Sequence, residues 1–269
     1  MYNYSEEELE RYSRQIILPE IGGKGQEKLL SSKVLIVGTG GLGSSCALYL
    51  AASGIGTIGI VDCDKVDLSN LQRQIIHSMD TLGKEKVYSA SGRLSAINPG
   101  IKIETYNTRV TSINILEIMD GYDVVVDGSD NFPTKFLIND ACVMKGKPLS
   151  MAGILRFMGQ VFTIIPGKTP CYRCIFEHPP EPGMVPTCRE AGVIGAIAGL
   201  VGIIQGTEVI KLLLGLGSTI NGIMIIDTLS MTLRNIEIGR KKDCLVCGDS
   251  PVIKELIDYP LTCEAKKES

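Results

Sequence analysis

The 269-residue sequence predicts an α/β fold: a Rossmann-like, doubly wound, mainly parallel sheet extended by antiparallel strands. Three observations predict it. Short apolar runs alternate with helical stretches between residues 33 and 145, the pattern of parallel strands joined by helices. A glycine-rich GTGGLG at 38–43 stands directly between the first apolar run and the first of those helices, where the chain must turn tightly. Beyond residue 148 no helix separates the next strand from the one before it, so the sheet turns antiparallel there. Length allows one large unit or two. With no repeat and no flexible linker, residues 1–269 read as a single domain, with N-terminal helices over 1–32, a Rossmann half over 33–150, a cysteine-bearing half over 151–248 and a C-terminal tail over 249–269.

Ser5 and Glu8 form a capping box, which predicts a helix over 6–12 with Arg14 near its end. A strand is expected over 33–37, then the glycine loop, then a helix rich in Ala, Leu and Ser to about residue 53. The second strand spans 57–61, with Asp62 at its carboxyl end, and a helical pattern covers 81–97. Strands follow at 102–106 and 123–127, with helices near 112–119 and over 131–145. The next strand is expected at 159–165, then a Pro-rich loop over 177–186, one long helix to about residue 214, and strands near 222–226 and 229–238.

Composition narrows the function. Hydrophobic residues make up 44% and charged residues 21%, which excludes disordered and collagen-like chains. The net charge of −3 and the lack of any basic run make nucleic acid an unexpected partner. Only two histidines occur, His77 and His178, so a histidine relay or a histidine-rich metal centre would have to draw on those two. The acidic amino terminus lacks the charged start and apolar stretch of a secretory signal, which predicts a cytoplasmic, reducing setting. The longest uncharged apolar stretch, 191–204, falls short of a spanning helix and reads as a buried one, with no membrane role. Its glycines, Gly192, Gly195, Gly199, Gly202 and Gly206, recur at helical spacing and predict close packing in the core or between subunits.

Gly38, Gly40 and Gly43 satisfy GxGxxG between strand and helix, and Asp62 ends the next strand, roughly 20 residues on. There, backbone amides meet phosphate at a helix amino end and a carboxylate meets ribose hydroxyls. The loop predicts a nucleotide without saying which; a nicotinamide dehydrogenase would carry the same turn. The segment beyond Asp62 is less typical of a dinucleotide enzyme. DCDKVDLSNLQRQ supplies Asn70 and Arg73, Lys86 lies on the next helix, and Asp130 lies past the fourth strand. Two cations, an amide and a carboxylate at successive strand ends suit a polyphosphate with Mg²⁺.

The nine cysteines need separate accounts. Cys171 with Cys174 and Cys244 with Cys247 form two CxxC pairs, and four thiolates in two knuckles suit a structural four-cysteine zinc site, with redox pairs as the alternative. Thr187 and Glu190 spell a capping box that would place Cys188 in a first helical turn, where exposed amides and Arg189 favour the thiolate. Cys188 is therefore a candidate nucleophile, or else a small residue packing the helix start. Cys46, Cys63 and Cys142 read as core or incidental, and Cys263 lies in the tail.

These motifs together, RYSRQ at 11–15, GTGGLG, DCDKVDLSNLQRQ, GKEK at 83–86, DGSDN, the paired CxxC and PTCREAGV, resemble the ThiF/MoeB/HesA family, relatives of the ubiquitin-activating enzymes, over nearly the whole chain. The resemblance implies adenylation of the C-terminal glycine of a small ubiquitin-like sulfur carrier protein, with Mg-ATP consumed and pyrophosphate released. By motif, Gly38, Gly40, Gly41, Gly43 and Asp62 would contact the nucleotide, and Ser69, Asn70, Arg73 and Lys86 its phosphates. Asp130 would hold Mg²⁺ beside Asn131 in the nucleotide site, and the 151–248 half would bind the carrier. Arg14 would reach the phosphates of a partner subunit, which implies a homodimer. Cys188 matches a loop cysteine implicated in sulfur transfer or a covalent carrier adduct in some members. No rhodanese segment follows, so a separate persulfide sulfur donor is expected. Outside this reading stand a nicotinamide-dependent oxidoreductase, a non-catalytic binder of ubiquitin-like proteins, and a relative that adenylates another peptide or a tRNA base.

Overall fold

The computed structural model describes residues 3–181, 184–185 and 188–260, and for Cys188 and Arg189 the backbone alone. Two helices open the chain, α1 (Glu6–Ile16) and α2 (Gly22–Ser31). The capping box is present: Ser5 Oγ accepts from the Glu8 N–H and Glu8 accepts from the Ser5 N–H. The first helix runs a turn beyond the expected end, so Arg14 lies in its last turn. Strand β1 (Lys33–Val37), helix α3 (Gly41–Ser53) and strand β2 (Thr57–Val61) follow. Helix α4 (Lys86–Ile97) begins five residues later than expected, because Gly83 adopts φ +77° and breaks the pattern after a short turn at Met79–Thr81. Next come β3 (Lys102–Tyr106), the single turn α5 (Ile115–Ile118), β4 (Val124–Asp127) and α6 (Phe132–Lys145).

The second half departs further from expectation. Strand β5 (Leu149–Leu155) lies outside the expected set, because Ser150 and Gly153 interrupt its apolar run. It pairs parallel with β4 and antiparallel with β6 (Met158–Ile164). The sheet thus reverses at the expected 159–165 segment, after one additional parallel strand, through a turn with Arg156 at φ +55°. After α7 (Tyr172–Ile175), the long helix is two: α8 (Cys188–Ala191) and α9 (Gly195–Leu214). Gly192, at φ +78°, ends the first, and residues 192–194 bond instead to Arg156 on the β5–β6 turn. The hairpin β7 (Gly222–Asp227) and β8 (Thr232–Glu237) completes one eight-stranded sheet, ordered β3-β2-β1-β4-β5-β6-β7-β8.

Alternation along the strands separates two cores. Leu35, Val37 and Val125 face α6 and the first cysteine pair, whereas Val34, Ile36, Val124 and Val126 face α3, α4 and α9. Helix α9 is long and apolar enough to cross a membrane by composition, yet half of that span is buried inside the protein. Its Glu208, 3% exposed, accepts from Thr163 Oγ1 at 2.6 Å and Ile220 N at 2.9 Å and pairs with Lys211, which ties the helix to the sheet. The glycine spacing divides. A Cβ on Gly202 would lie 2.1 Å from Ser45 Oγ and 2.3 Å from Leu42 O, so this glycine brings α9 onto α3. Gly206 also faces Cys46 on α3. Gly195 instead abuts the Gln72 carbonyl, Gly199 has open space around its Cα, and Gly192 is outside the helix.

Candidate functional site

The carboxyl ends of β1, β2 and β4 meet at one edge of the sheet, where doubly wound folds bind ligands. Gly38 leaves β1 at φ +94°, and a Cβ there would stand 2.9 Å from the Gly128 carbonyl past β4. A Cβ on Gly43 would fall 1.9 Å from Gly38 O. The turn admits no side chain at either position. Gly40 starts α3 with no side-chain cap, so the first amides of that helix stay available to an anion. This suits a phosphate group. Gln74 is buried beside Gly40, and its Oε1, an acceptor, has no hydrogen-bond partner among the described residues.

Asp62 turns toward the loop. Its Oδ2 accepts from Thr39 N at 2.8 Å and Thr39 Oγ1 at 2.9 Å, and its Oδ1 accepts from Asp64 N at 3.0 Å. The carboxylate fixes the glycine turn and remains only partly buried. A short turn at Leu68–Asn70 follows β2, closed by Asp67 and Asn70 bonding each other's backbone N–H groups. Ser69 donates its N–H to Asp67. Arg73 Nη1 donates to the Ser69 carbonyl at 3.0 Å, and its Cγ lies 3.5 Å from the Cβ position of Gly41, which lays the side chain along the loop. Lys86 opens α4 with its side chain 7% exposed and its Nζ 2.8 Å from Asp64 Oδ2.

Past β4, Asp130 stands exposed, and among the described residues its carboxylate has no partner. Asn131 caps α6 by accepting from Thr134 N at 2.9 Å. The loop that carries both is braced by a pair that sequence reasoning missed. Asp127 and Lys135 are both buried, 2.7 Å apart, and Asp127 Oδ1 also accepts from Ser129 N and Oγ. Lys135 reaches the Ala152 carbonyl, and Gln205 on α9 donates to Asp127 O at 2.9 Å. Their signal was faint: an Asp at a strand end and a Lys one helical turn into the next helix. Asp64, the partner of Lys86, was missed for the same reason, since pairing depends on where two side chains meet.

Two predicted residues stay outside this gathering. Arg14 is exposed on α1. That helix is anchored at the far end of α3, where Tyr12 packs on Gly54 and Gln15 donates to the Ser53 carbonyl. Cys188 begins α8, but its side chain and Thr187 lie outside the described residues, as does Cys263. Cys46 and Cys142 are buried, and burial pushes both thiols up, Cys46 to about 12. Both therefore pack as inert thiols. Cys63 is exposed.

The four paired cysteines form a candidate metal centre. Their sulfurs all lie within 4.8 Å of one another, with 3.5 Å between Cys171 and Cys244 and 3.4 Å between Cys174 and Cys247. Tetrahedral zinc with bonds near 2.3 Å sets its sulfurs about 3.8 Å apart, so the cluster has the right size. The crowded thiols share protons: a hydrogen bond from Cys171 draws the Cys174 thiol down, and Cys171 is raised in turn. Lys241 donates its N–H to Cys174 Sγ at 3.4 Å. Arg173, fully buried between the first two cysteines, forms a bidentate pair with Asp140 on α6 and donates to the Glu177 carbonyl and to Tyr259.

Comparison with known proteins points to one family. The model of the ThiF family matches residues 12–246. A sulfur carrier protein adenylyltransferase of Thermus thermophilus is 46% identical over 266 residues, covering 97% of this chain and 98% of the relative. The SAMP-activating enzyme E1 of Haloferax volcanii is 46% identical over 258 residues, covering 95% of each. The adenylyltransferase and sulfurtransferase MOCS3 of Culex quinquefasciatus is also 46% identical, over 96% of this chain, which spans 60% of that relative. Among solved structures, E. coli MccB with ATP superposes at a TM-score of 0.78 with 26% identity, over 88% of this chain and 74% of that one.

Proposed function

The chain belongs to the ThiF family, and from that premise we propose that it is an adenylyltransferase that activates the C-terminal glycine of a small ubiquitin-like sulfur carrier with Mg-ATP. The observation that carries this reading is a convergence. The uncapped start of α3, Arg73 along its loop, Lys86 and the exposed Asp130 all gather at one edge of the sheet. A dinucleotide has little use for two cations and a carboxylate so placed, whereas a triphosphate needs them.

A carboxylate oxygen of the carrier attacks the α-phosphorus in line, the new P–O bond forms as the bond to the β-phosphate oxygen breaks, and pyrophosphate leaves with the electron pair. Charge grows on the phosphate oxygens. Gly41 and the amides beside it, with Gly38, Gly40 and Gly43 shaping the turn, hold the phosphates, while Arg73 and Lys86 offset their charge. Ser69 and Asn70 would contact the phosphates and Asn131 the nucleotide, and Asp62 keeps a lone pair for the ribose beyond those it spends on Thr39 and Asp64. Asp130 would hold Mg²⁺, which would supply positive charge to offset that of the phosphates. No general base is needed, since the attacking carboxylate is already ionised at neutral pH.

Arg14 enters from a second copy. It rides on a helix fastened to the carboxyl end of α3. The 13 residues of α3 put that end roughly 20 Å from the phosphate loop, too far for an arginine to span, so Arg14 of a homodimer partner serves the site. Cys171, Cys174, Cys244 and Cys247 would hold a structural Zn²⁺. Cys188 would serve as a nucleophile toward the acyl-adenylate, its thiolate forming a thioester to the carrier as AMP leaves, and a separate persulfide donor would supply the sulfur. ATP–pyrophosphate exchange with a panel of small carriers ending in Gly-Gly tests the whole reading. Exchange with one carrier and not the others is expected. No exchange, with tight NAD(P)H binding seen by fluorescence, would overturn it.

A further inference from the structure

Three segments of the proposed site meet at a single imidazole. His77 is 7% exposed and follows Arg73 and Gln74, its backbone N–H bonding the Gln74 carbonyl at 3.1 Å. Its Nε2 stands 3.2 Å from the carbonyl of Thr39, inside the GTGGLG loop. Its Nδ1 stands 2.9 Å from the hydroxyl of Ser89, one turn beyond Lys86 on α4. A carbonyl can only accept, so Nε2 carries the proton, and Nδ1 is left to accept from the Ser89 hydroxyl. The neighbours thus select one neutral tautomer. Thr39 is held from both sides, its N–H and hydroxyl by Asp62 and its carbonyl by His77.

The charged groups around the ring are Lys86 on α4 and Asp62 at the end of β2. Burial and the Lys86 ammonium oppose a second proton, the Thr39 carbonyl and Asp62 favour one, and burial dominates, so the ring titrates below the ordinary histidine range. Both ring nitrogens are spent on the fold, which leaves neither for proton transfer with a substrate.

We propose that His77 is a positioning residue for adenylation: its Nε2–H clamps the Thr39 carbonyl and so holds the phosphate-loop amides in register with the helix that presents Lys86. This rests on the adenylation reading above. The clamp matters because loop amides and the lysine must meet the same phosphates, and a misplacement of about 1 Å costs on the order of 10²-fold in rate. A residue that only stabilised the fold would lower the amount of active protein and leave each folded molecule as fast as before.

The test uses the full chain with a carrier that supports exchange. For wild type, His77→Phe, His77→Gln and Ser89→Ala, kcat and the KM values for ATP and carrier are measured per folded molecule. The ¹⁵N resonances of His77 are recorded in wild type at neutral pH. We expect His77→Phe to lose on the order of 10²-fold in kcat with carrier KM unchanged. His77→Gln, whose amide nitrogen can still donate to Thr39, should recover about tenfold of that loss. Ser89→Ala, which frees the ring to turn, should lose severalfold, and the spectrum should show a protonated Nε2 with a bare Nδ1. The proposal is overturned by a folded Phe variant as fast as wild type, by a Gln variant no better than Phe, or by a protonated Nδ1 with a bare Nε2. Should the Phe variant not fold, an undiminished Ser89→Ala overturns it as well. Absence of exchange in wild type with every carrier would sink the adenylation reading itself, whereas exchange surviving in the His77 variants removes only the clamp.

Discussion

Single side chains carry the chemistry, and their roles separate by what they touch. Arg73 lies along the phosphate loop and Asp130 stands open past β4, so replacing either by Ala should cut ATP–pyrophosphate exchange by on the order of 10²-fold or more. Thermal midpoints should barely move, since neither is buried; a variant that kept its exchange rate would remove that residue from the site. His77 makes a different demand. Its folded pKa lies below that of the unfolded chain, so the unfolded state binds more protons as pH falls through about 6.5, and stability declines with it. Urea midpoints at pH 7.5 and 5.5 should therefore differ more in wild type than in His77→Gln. These cases show what the sequence could carry at this scale. GTGGLG, Asp62, Arg73, Lys86 and Asp130 were legible because residue type and position along a βα unit already specify an edge of the sheet. Asp64 against Lys86, Lys135 against Asp127 and His77 under Thr39 were not, because each pairing joins segments that only the folded chain brings together.

Whole elements answer to packing and to the cysteine cluster. Strands 1 to 4 were readable from apolar runs bounded by turns, but β5 was hidden, since Ser150 and Gly153 dilute a strand that both its neighbours stabilise. The break between α8 and α9 was equally hidden: Gly192 fits helical spacing, and only its positive φ and the bonds from 192–194 to Arg156 end the helix. Glycine spacing predicts close packing without naming the partner; the close approach of α9 to α3 depends most on Gly202. Gly202→Ala should destabilise by about 1–3 kcal/mol through overpacking, while Gly199→Ala, with open space there, should be neutral or slightly stabilising. Chemical denaturation of the two variants distinguishes these outcomes. The cysteine knuckles join α7 to the segment after β8. Cys244→Ser should lose the bound metal and lower the thermal midpoint by on the order of 10 °C. It should also expose residues near 240–260 to protease while exchange per folded molecule holds. A metal-free wild type with an unchanged midpoint would remove the structural role.

At the scale of the whole molecule, the proposed nucleotide site lies at one end of the sheet and Arg14 at the other. Helix α1 cannot swing across, because Tyr12 accepts from buried Asn98 at 2.8 Å and Gln15 bonds both Gln26 and the Ser53 carbonyl. On the proposed reading, an arginine that serves the phosphates would come from another chain, and a two-fold pair would supply it reciprocally, each subunit completing its neighbour's site. This makes a sharp prediction for mixed subunits. Arg14→Ala and Asp130→Ala should each abolish exchange as homodimers. When the two are unfolded together and refolded, half of the random dimers are mixed, and each holds one site with an intact Asp130 facing an intact Arg14. Exchange should return to about a quarter of the wild-type level. If Arg14 instead served its own chain, every site in the mixture would lack one of the two groups and no exchange would return, so the recovered fraction reads directly whether the site is built by one chain or by two.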